Sequence, residues 1–187
     1  MDIPTVLLLN GAYGVGKTTV AKVLRRRLRG SVLFDPEVIG YVLRRLPRAL
    51  PGSARGLDDY RASTTWRKAA VAIAAILGRS ARPLIVPMTL DRELLVELRD
   101  ALTSRRCRVE QVCLVASVTT VYARLAKRGL QPSSAEGQWV RSHAAAACVE
   151  HTSRDFERRI DTESRTPEEV ADEIIASLEG ASAGYRR

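Results

Sequence analysis

The sequence predicts an α/β domain in three layers, with helices on both faces of a five-stranded parallel sheet. Three observations point there. Apolar runs of strand length alternate with amphipathic helical stretches along the chain, the pattern of a parallel sheet crossed by helices. The first apolar run ends in a glycine-rich turn that opens directly into a helix. The length of 187 residues fits one domain with a small mobile insert.

The elements follow in order. TVLLLN (5–10) is a buried strand ending at Gly11. KTTVAKVLRRRL then sets Val20, Val23, Leu24 and Leu28 on one helical stripe, and Gly30 stops the helix. VLFD (32–35) is a second strand. PEVIGYVLRRL is a helix with Pro36 in its first turn. A Pro/Gly-rich loop spans 47–57, and a helix is expected from Asp58 to Leu77. LIVPM (84–88) is the third strand, followed by the helix DRELLVELRDALTSR. VEQVCLVAS (109–117) is the fourth, followed by TTVYARLAKRG, which Gly129 stops. LQPSSAEGQ (130–138) reads as a polar loop, and a long helix is expected from Trp139 to Arg158. RRIDT is a short fifth strand. Thr166, Pro167, Glu168 and Glu169 supply cap, first-turn proline and first-turn acids for the last helix. The expected organisation is one domain over 1–180, with an acceptor-binding insert near 36–80 and a lid near 124–141. Residues 181–187 are expected to fray.

Composition narrows the partners. No run approaches the ~18 apolar residues of a membrane span. The N-terminus lacks the basic and apolar regions of a secretory signal, so a cytoplasmic protein is expected. Cys107, Cys113 and Cys148 are too scattered for a disulfide framework. His143 and His151 have no second ligand pair to make a zinc site. The formal charge of +9 admits nucleic acid, but the arginines spread over several helices and aromatics make up only 5%. No nucleic acid is therefore expected. A basic surface also suits an enzyme whose substrates carry phosphates. A monomer or homodimer fits equally.

The chemistry centres on NGAYGVGKTT (10–19). Gly11, four residues, then Gly16-Lys17-Thr18 match the phosphate-loop pattern, with a strand before and a helix after. Glycines let the backbone curl so that successive N–H groups face phosphate oxygens, and the helix adds its positive end. ATP is expected on Gly11, Ala12, Tyr13, Gly14, Val15, Gly16, Lys17, Thr18 and Thr19. Lys17 would bridge the terminal phosphates and the Thr18 hydroxyl would bind Mg2+.

In an open parallel sheet ligands gather at the carboxyl ends of the strands. There Asp35 both caps a helix and can accept a hydroxyl proton or hold Mg2+ through water, with Glu37 a weaker candidate. The third strand ends in LIVPMT. Thr89 stands where many phosphate-loop enzymes carry an acid, which weakens the case for a motor ATPase. Met88 and Thr89 are expected to line an acceptor pocket. Tyr60 and Trp66 either stack on an acceptor ring or belong to the core. Arg124 and Arg128 share a helix face before the polar loop, the layout of a lid whose cations reach the transferred phosphoryl group on closure.

Taken together, NGAYGVGKT, LFDPEVIGYVLR, LIVPMT, RLAKR, GQW and ERRIDT resemble the tunicamycin resistance protein family in order and spacing, over residues 5 to 179. That family stands with small phosphate-loop kinases such as shikimate, gluconate and nucleoside-monophosphate kinases. The resemblance implies an ATP-binding protein that protects against nucleoside antibiotics by phosphorylating them. It also implies that Arg124 and Pro167 sandwich adenine. Three readings remain: a phosphotransferase acting on an antibiotic, a housekeeping nucleotide or metabolite kinase, and a protein that binds the drug without transfer.

Overall fold

The computed structural model describes residues 5–47, 59–156 and 158–184, apart from the side chains of Tyr60 and of residues 179–184. The strands are β1 (Thr5–Gly11), β2 (Val32–Leu33), β3 (Leu84–Pro87), β4 (Arg108–Val115) and β5 (Arg159–Asp161). The helices are α1 (Lys17–Arg27), α2 (Glu37–Arg45), α3 (Thr64–Gly78), α4 (Arg92–Thr103), α5 (Val118–Lys127), α6 (Ala135–Glu150) and α7 (Pro167–Gly184). The sheet is five-stranded in the order β2-β3-β1-β4-β5, and every pairing is parallel.

The pleat of β1 divides the core in two. Val6 and Leu8 pack with α3 and α4 through Ala70, Ala74, Leu94 and Leu98. Leu7 and Leu9 pack on the opposite face with Val20 and Leu24 of α1, Val121 of α5 and Ile174 of α7. Alternate residues therefore serve two helical layers, which is why the strand reads as an unbroken apolar run. On the outer side, Arg26 and Arg27 of α1 pair with Glu168 and Asp172 of α7.

The topology fixes where a ligand can sit. From β1 the chain crosses by α1 to the edge strand β2; from β3 it leaves by α4 and arrives at β4, on the other side of β1. The two helices lie on opposite faces of the sheet. The carboxyl ends of β1 and β3 thus flank the switch point of the sheet, the crevice that binds ligands in such folds.

Several boundaries differ from the sequence expectation, each for a local reason. The second strand pairs only through Leu33, although Phe34 N still donates to Ile85 O at 2.9 Å before Asp35 and Pro36 turn away. The helix expected from Asp58 is broken; Asp58 itself lies outside the described residues. A 3-10 turn at Tyr60–Ala62 comes first, and Ser63 then caps α3 by accepting from Trp66 N. The helix expected from Trp139 starts earlier, at Ala135, because Ser134 Oγ accepts from Gly137 N at 3.0 Å. Serine as cap with Glu136 in the first turn is a start signal that the glycine at 137 obscures. This helix ends at Glu150, not Arg158. The last helix opens as expected: Thr166 Oγ1 accepts from Glu169 N, and Glu169 Oε2 accepts from Thr166 N. It runs through Gly184.

Candidate nucleotide and acceptor site

The loop between β1 and α1 is shaped by glycines at positions no other residue fits. Gly11 has φ +148°, and a Cβ there would stand 2.7 Å from Leu114 O and from Val15 Cγ1. Gly14 has φ +85°, and a Cβ would press on Leu125 of α5 at 2.8 Å. The loop is therefore seated tightly against β4 and α5.

Lys17, at the first turn of α1, is almost fully buried. Its ammonium donates to Gly11 O at 2.8 Å, to Ala12 O at 3.0 Å and to Thr89 Oγ1 at 3.0 Å. Burial brings its pKa down to about 8, while the nearby Glu37 carboxylate acts to raise it. The root of the loop is clamped by Asn10, which the strand motif did not flag. Asn10 Oδ1 accepts from Gly11 N and Leu90 N, and Asn10 Nδ2 donates to Leu90 O. His151 Nε2 also lies 2.9 Å from Leu90 O, so that nitrogen carries the proton and donates to the carbonyl. The one clue in the sequence is an asparagine closing an otherwise apolar strand, LLLN.

Two adjoining cavities open on the loop, sharing Gly16 and Arg128. The first, of about 160 Å³, is lined by Tyr13, Gly14, Gly16, Lys17, Thr18, Asp35, Glu37, Pro87 and Arg128. Asp35 Oδ1 accepts from Glu37 N at 2.9 Å, so the aspartate does cap α2. Burial, then the neighbouring Asp35, raises the Glu37 pKa against the pull of Lys17 and Arg61. Thr18 is exposed to this cavity, and with Asp35 and Glu37 it presents only oxygen donors, the set that suits Mg2+.

The second cavity, of about 190 Å³, includes Val15, Thr19, Arg124, Thr162, Arg165, Pro167 and Val170. Arg124 and Pro167 thus meet across one pocket. The Arg124 guanidinium is held in place: Nη1 donates to Val15 O at 2.8 Å and Thr162 Oγ1 at 2.9 Å, and Nη2 to Thr162 O at 2.7 Å. Arg124 is consequently a strut between the loop and the end of β5, with its plane forming pocket wall. Glu163, next to Thr162, accepts from Ser117 N and from the Ser117 and Thr120 hydroxyls; these bonds hold its pKa down to about 2.

The start of α6 leans on the phosphate loop. The Tyr13 and Trp139 rings meet edge-on at 5.9 Å, and Trp139 stacks on His143 at 3.9 Å. Arg141 turns onto the Tyr122 ring instead, 3.7 Å from its centre. Of the basic residues in the segment expected to form a lid, Arg128 is the one that lines both cavities.

Three expected acceptor residues are placed otherwise. Trp66 is completely buried, and its Nε1 donates to Pro36 O at 3.0 Å, so it is core and holds the start of α2. Met88 is buried and packs in the apolar cluster with Leu8 and Trp66. Thr89 is buried against Lys17. The side chain of Tyr60 lies outside the described residues. In their stead the site brings in Arg61, whose guanidinium pairs with Asp59 and donates through Nη1 to Thr89 O at 2.5 Å. Burial acts to raise the Asp59 pKa, but the hydrogen bonds and charge of Arg61 lower it overall.

The AAA domain family matches residues 6–147. No curated protein matches the chain. Among solved structures, the tunicamycin resistance protein of Deinococcus radiodurans is 30% identical, with a TM-score of 0.74, over 93% of this chain and 95% of that one. A gluconokinase from Sinorhizobium meliloti 1021 is 16% identical, with a TM-score of 0.63, over 100% of this chain and 98% of that one. The Mycobacterium tuberculosis APS kinase, solved with AMPPNP and APS, is 16% identical, with a TM-score of 0.68, over 96% of this chain and 99% of that one. The last two speak for the fold alone.

Proposed function

We propose that this chain, which belongs to the AAA domain family of P-loop proteins and within it to the tunicamycin resistance proteins, is an ATP-dependent phosphotransferase acting on a hydroxyl of a nucleoside-type antibiotic. One observation carries the reading. A single cavity holds both the phosphate loop, through Gly14, Gly16, Lys17 and Thr18, and a carboxylate pair from another element, Asp35 and Glu37.

In this reading the adenine lies in the second cavity between Arg124 and Pro167. The phosphates follow the loop amides across Gly16 to Lys17 and Arg128. Mg2+, held by Thr18 and through water by Asp35, would neutralise charge on the terminal phosphates. Asp35 keeps Oδ1 on the helix backbone, and among the described residues no hydrogen bond engages its second oxygen. That oxygen takes the proton of the acceptor hydroxyl. The acceptor oxygen bonds to the γ-phosphorus as the bond to the ADP oxygen breaks, and Lys17 and Arg128 offset the charge on the moving group. Trp139 against Tyr13 closes the cleft to water.

The acceptor side favours an uncharged molecule over a nucleoside monophosphate. Its carboxylates, Asp35 and Glu37, repel an anion, and Arg61 is already paired with Asp59. Sequestration without transfer is the second reading, favoured by Thr89, rather than an acid, just past the end of β3. Incubating the protein with tunicamycin, ATP and Mg2+, then weighing the drug by mass spectrometry, separates the two. Gain of one phosphate supports transfer; tight binding with unchanged mass supports sequestration.

A further inference from the structure

We propose that Thr89 is a positioning residue: its hydroxyl fixes the Lys17 ammonium in the crevice between β1 and β3. The inference rests on the phosphotransferase reading and assigns to Thr89 a task different from lining an acceptor pocket.

Lys17 has three ammonium protons and three oxygen partners. Two partners lie on the lysine's own side of the crevice: Gly11 O at the end of β1 and Ala12 O in the loop that follows it. Thr89 Oγ1 is the third, and it comes from the segment just past the end of β3. Of the three bonds, this one carries the ammonium across the crevice to the β3 side. Without it the ammonium keeps partners only on its own side of the crevice and is free to swing away from the β3 side.

Thr89 is itself fixed on both sides. Its carbonyl accepts from Arg61 Nη1 at 2.5 Å, and Arg61 is locked by Asp59. The next residue, Leu90, is gripped through both its N–H and its carbonyl by Asn10, and its carbonyl also receives His151. Asn10 in turn holds Gly11 N. The result is a closed ring: Asn10, Leu90, Thr89, Lys17, Gly11 and back to Asn10. Every link is a hydrogen bond or a peptide bond, and the ring is buried. Arg61 ties it to the segment beside the acceptor cavity. A strand-end acid would pull the ammonium by charge and compete with phosphate for it. A hydroxyl holds it by geometry and leaves its charge for the phosphate.

The test compares Thr89→Val with Thr89→Ser. Valine keeps the shape and loses the acceptor; serine keeps the acceptor and loses a methyl. In the parent and in Thr89→Ser, the side-chain 15N–1H signal of the Lys17 ammonium is expected to be seen as a restrained group; in Thr89→Val it is expected to shift or broaden away. Turnover in Thr89→Val should fall about tenfold, the loss of one hydrogen bond to a charged group. Affinity for a non-hydrolysable ATP analogue should stay within about threefold, because the loop amides remain. Serine should restore turnover. An unchanged ammonium signal and unchanged turnover in Thr89→Val would overturn the inference, as would a serine variant that loses as much as valine. If the parent transfers no phosphate, the functional proposal fails by itself, and the ammonium signal still decides the role of Thr89.

Discussion

Arg124 of α5 donates to the Val15 carbonyl at 2.8 Å, so the phosphate loop is braced by a guanidinium that also walls the adjoining pocket. Both tasks depend on its planar fork: one arm reaches the loop and Thr162 Oγ1, the other Thr162 O. Arg124→Ala is expected to weaken ATP binding at least tenfold and to cost about 1–3 kcal/mol of stability, through buried acceptors left unpaired. Arg124→Lys should recover little, because an ammonium cannot span both sites. Calorimetric ATP titration and urea unfolding check the two effects.

Trp66 separates packing from recognition. It is fully buried, with its indole N–H on Pro36 O. Trp66→Ala should destabilise the fold by about 3–5 kcal/mol. Trp66→Phe should cost less and leave KM for the acceptor near the parent value. A Phe variant that folds well yet loses acceptor affinity selectively would return Trp66 to the binding site.

His151 gives the protein an acid limit on stability. Its pKa is lowered by burial, with the bond to Leu90 O partly opposing, and among the described residues its Nδ1 is buried without a partner. The folded chain therefore resists a proton that the unfolded chain takes up near pH 6.5. Stability is fully present above that value and falls as the pH drops below it. The urea midpoint should decline from pH 7.5 to pH 5.5, and His151→Gln should flatten that slope while lowering the midpoint at pH 7.5.

Trp139 offers a probe of the proposed lid. It touches Tyr13 of the phosphate loop and stacks on His143. With only Trp66 as a second tryptophan, and that one in the core, nucleotide-dependent fluorescence should come from Trp139. Trp139→Ala should abolish most of the signal and raise the share of ATP lost to water, measured as ADP formed without phosphorylated acceptor.

The fold and the loop were legible because their signals are local. Gly11, Gly14 and Gly16 have a backbone geometry only glycine tolerates, and the apolar runs of β1 and β3 reflect burial on two faces. What could not be read depends on residues far apart in sequence. Arg61 meets Thr89, and Asn10 meets Leu90, 28 and 80 positions away. No periodicity encodes such pairings. Trp66 was ambiguous for the same reason: an indole at the start of a helix faces core or cleft according to where Pro36 comes to rest. The early start of α6 was written in Ser134 and Glu136, but the glycine after them reads as a breaker until its tight packing against Gln131 is seen.

In the proposed function the γ-phosphoryl group of ATP passes from beside Lys17 across the cavity to an alcohol facing Asp35. A single-turnover experiment with γ-labelled ATP, Mg2+ and tunicamycin, comparing the parent with Lys17→Ala and Asp35→Asn, tests it most directly. The label should appear on the drug in the parent, with no transfer in a folded Lys17→Ala and ATP binding without timely transfer in Asp35→Asn. Label that passes to the drug as fast in Asp35→Asn as in the parent, or that never reaches it in the parent, would contradict it.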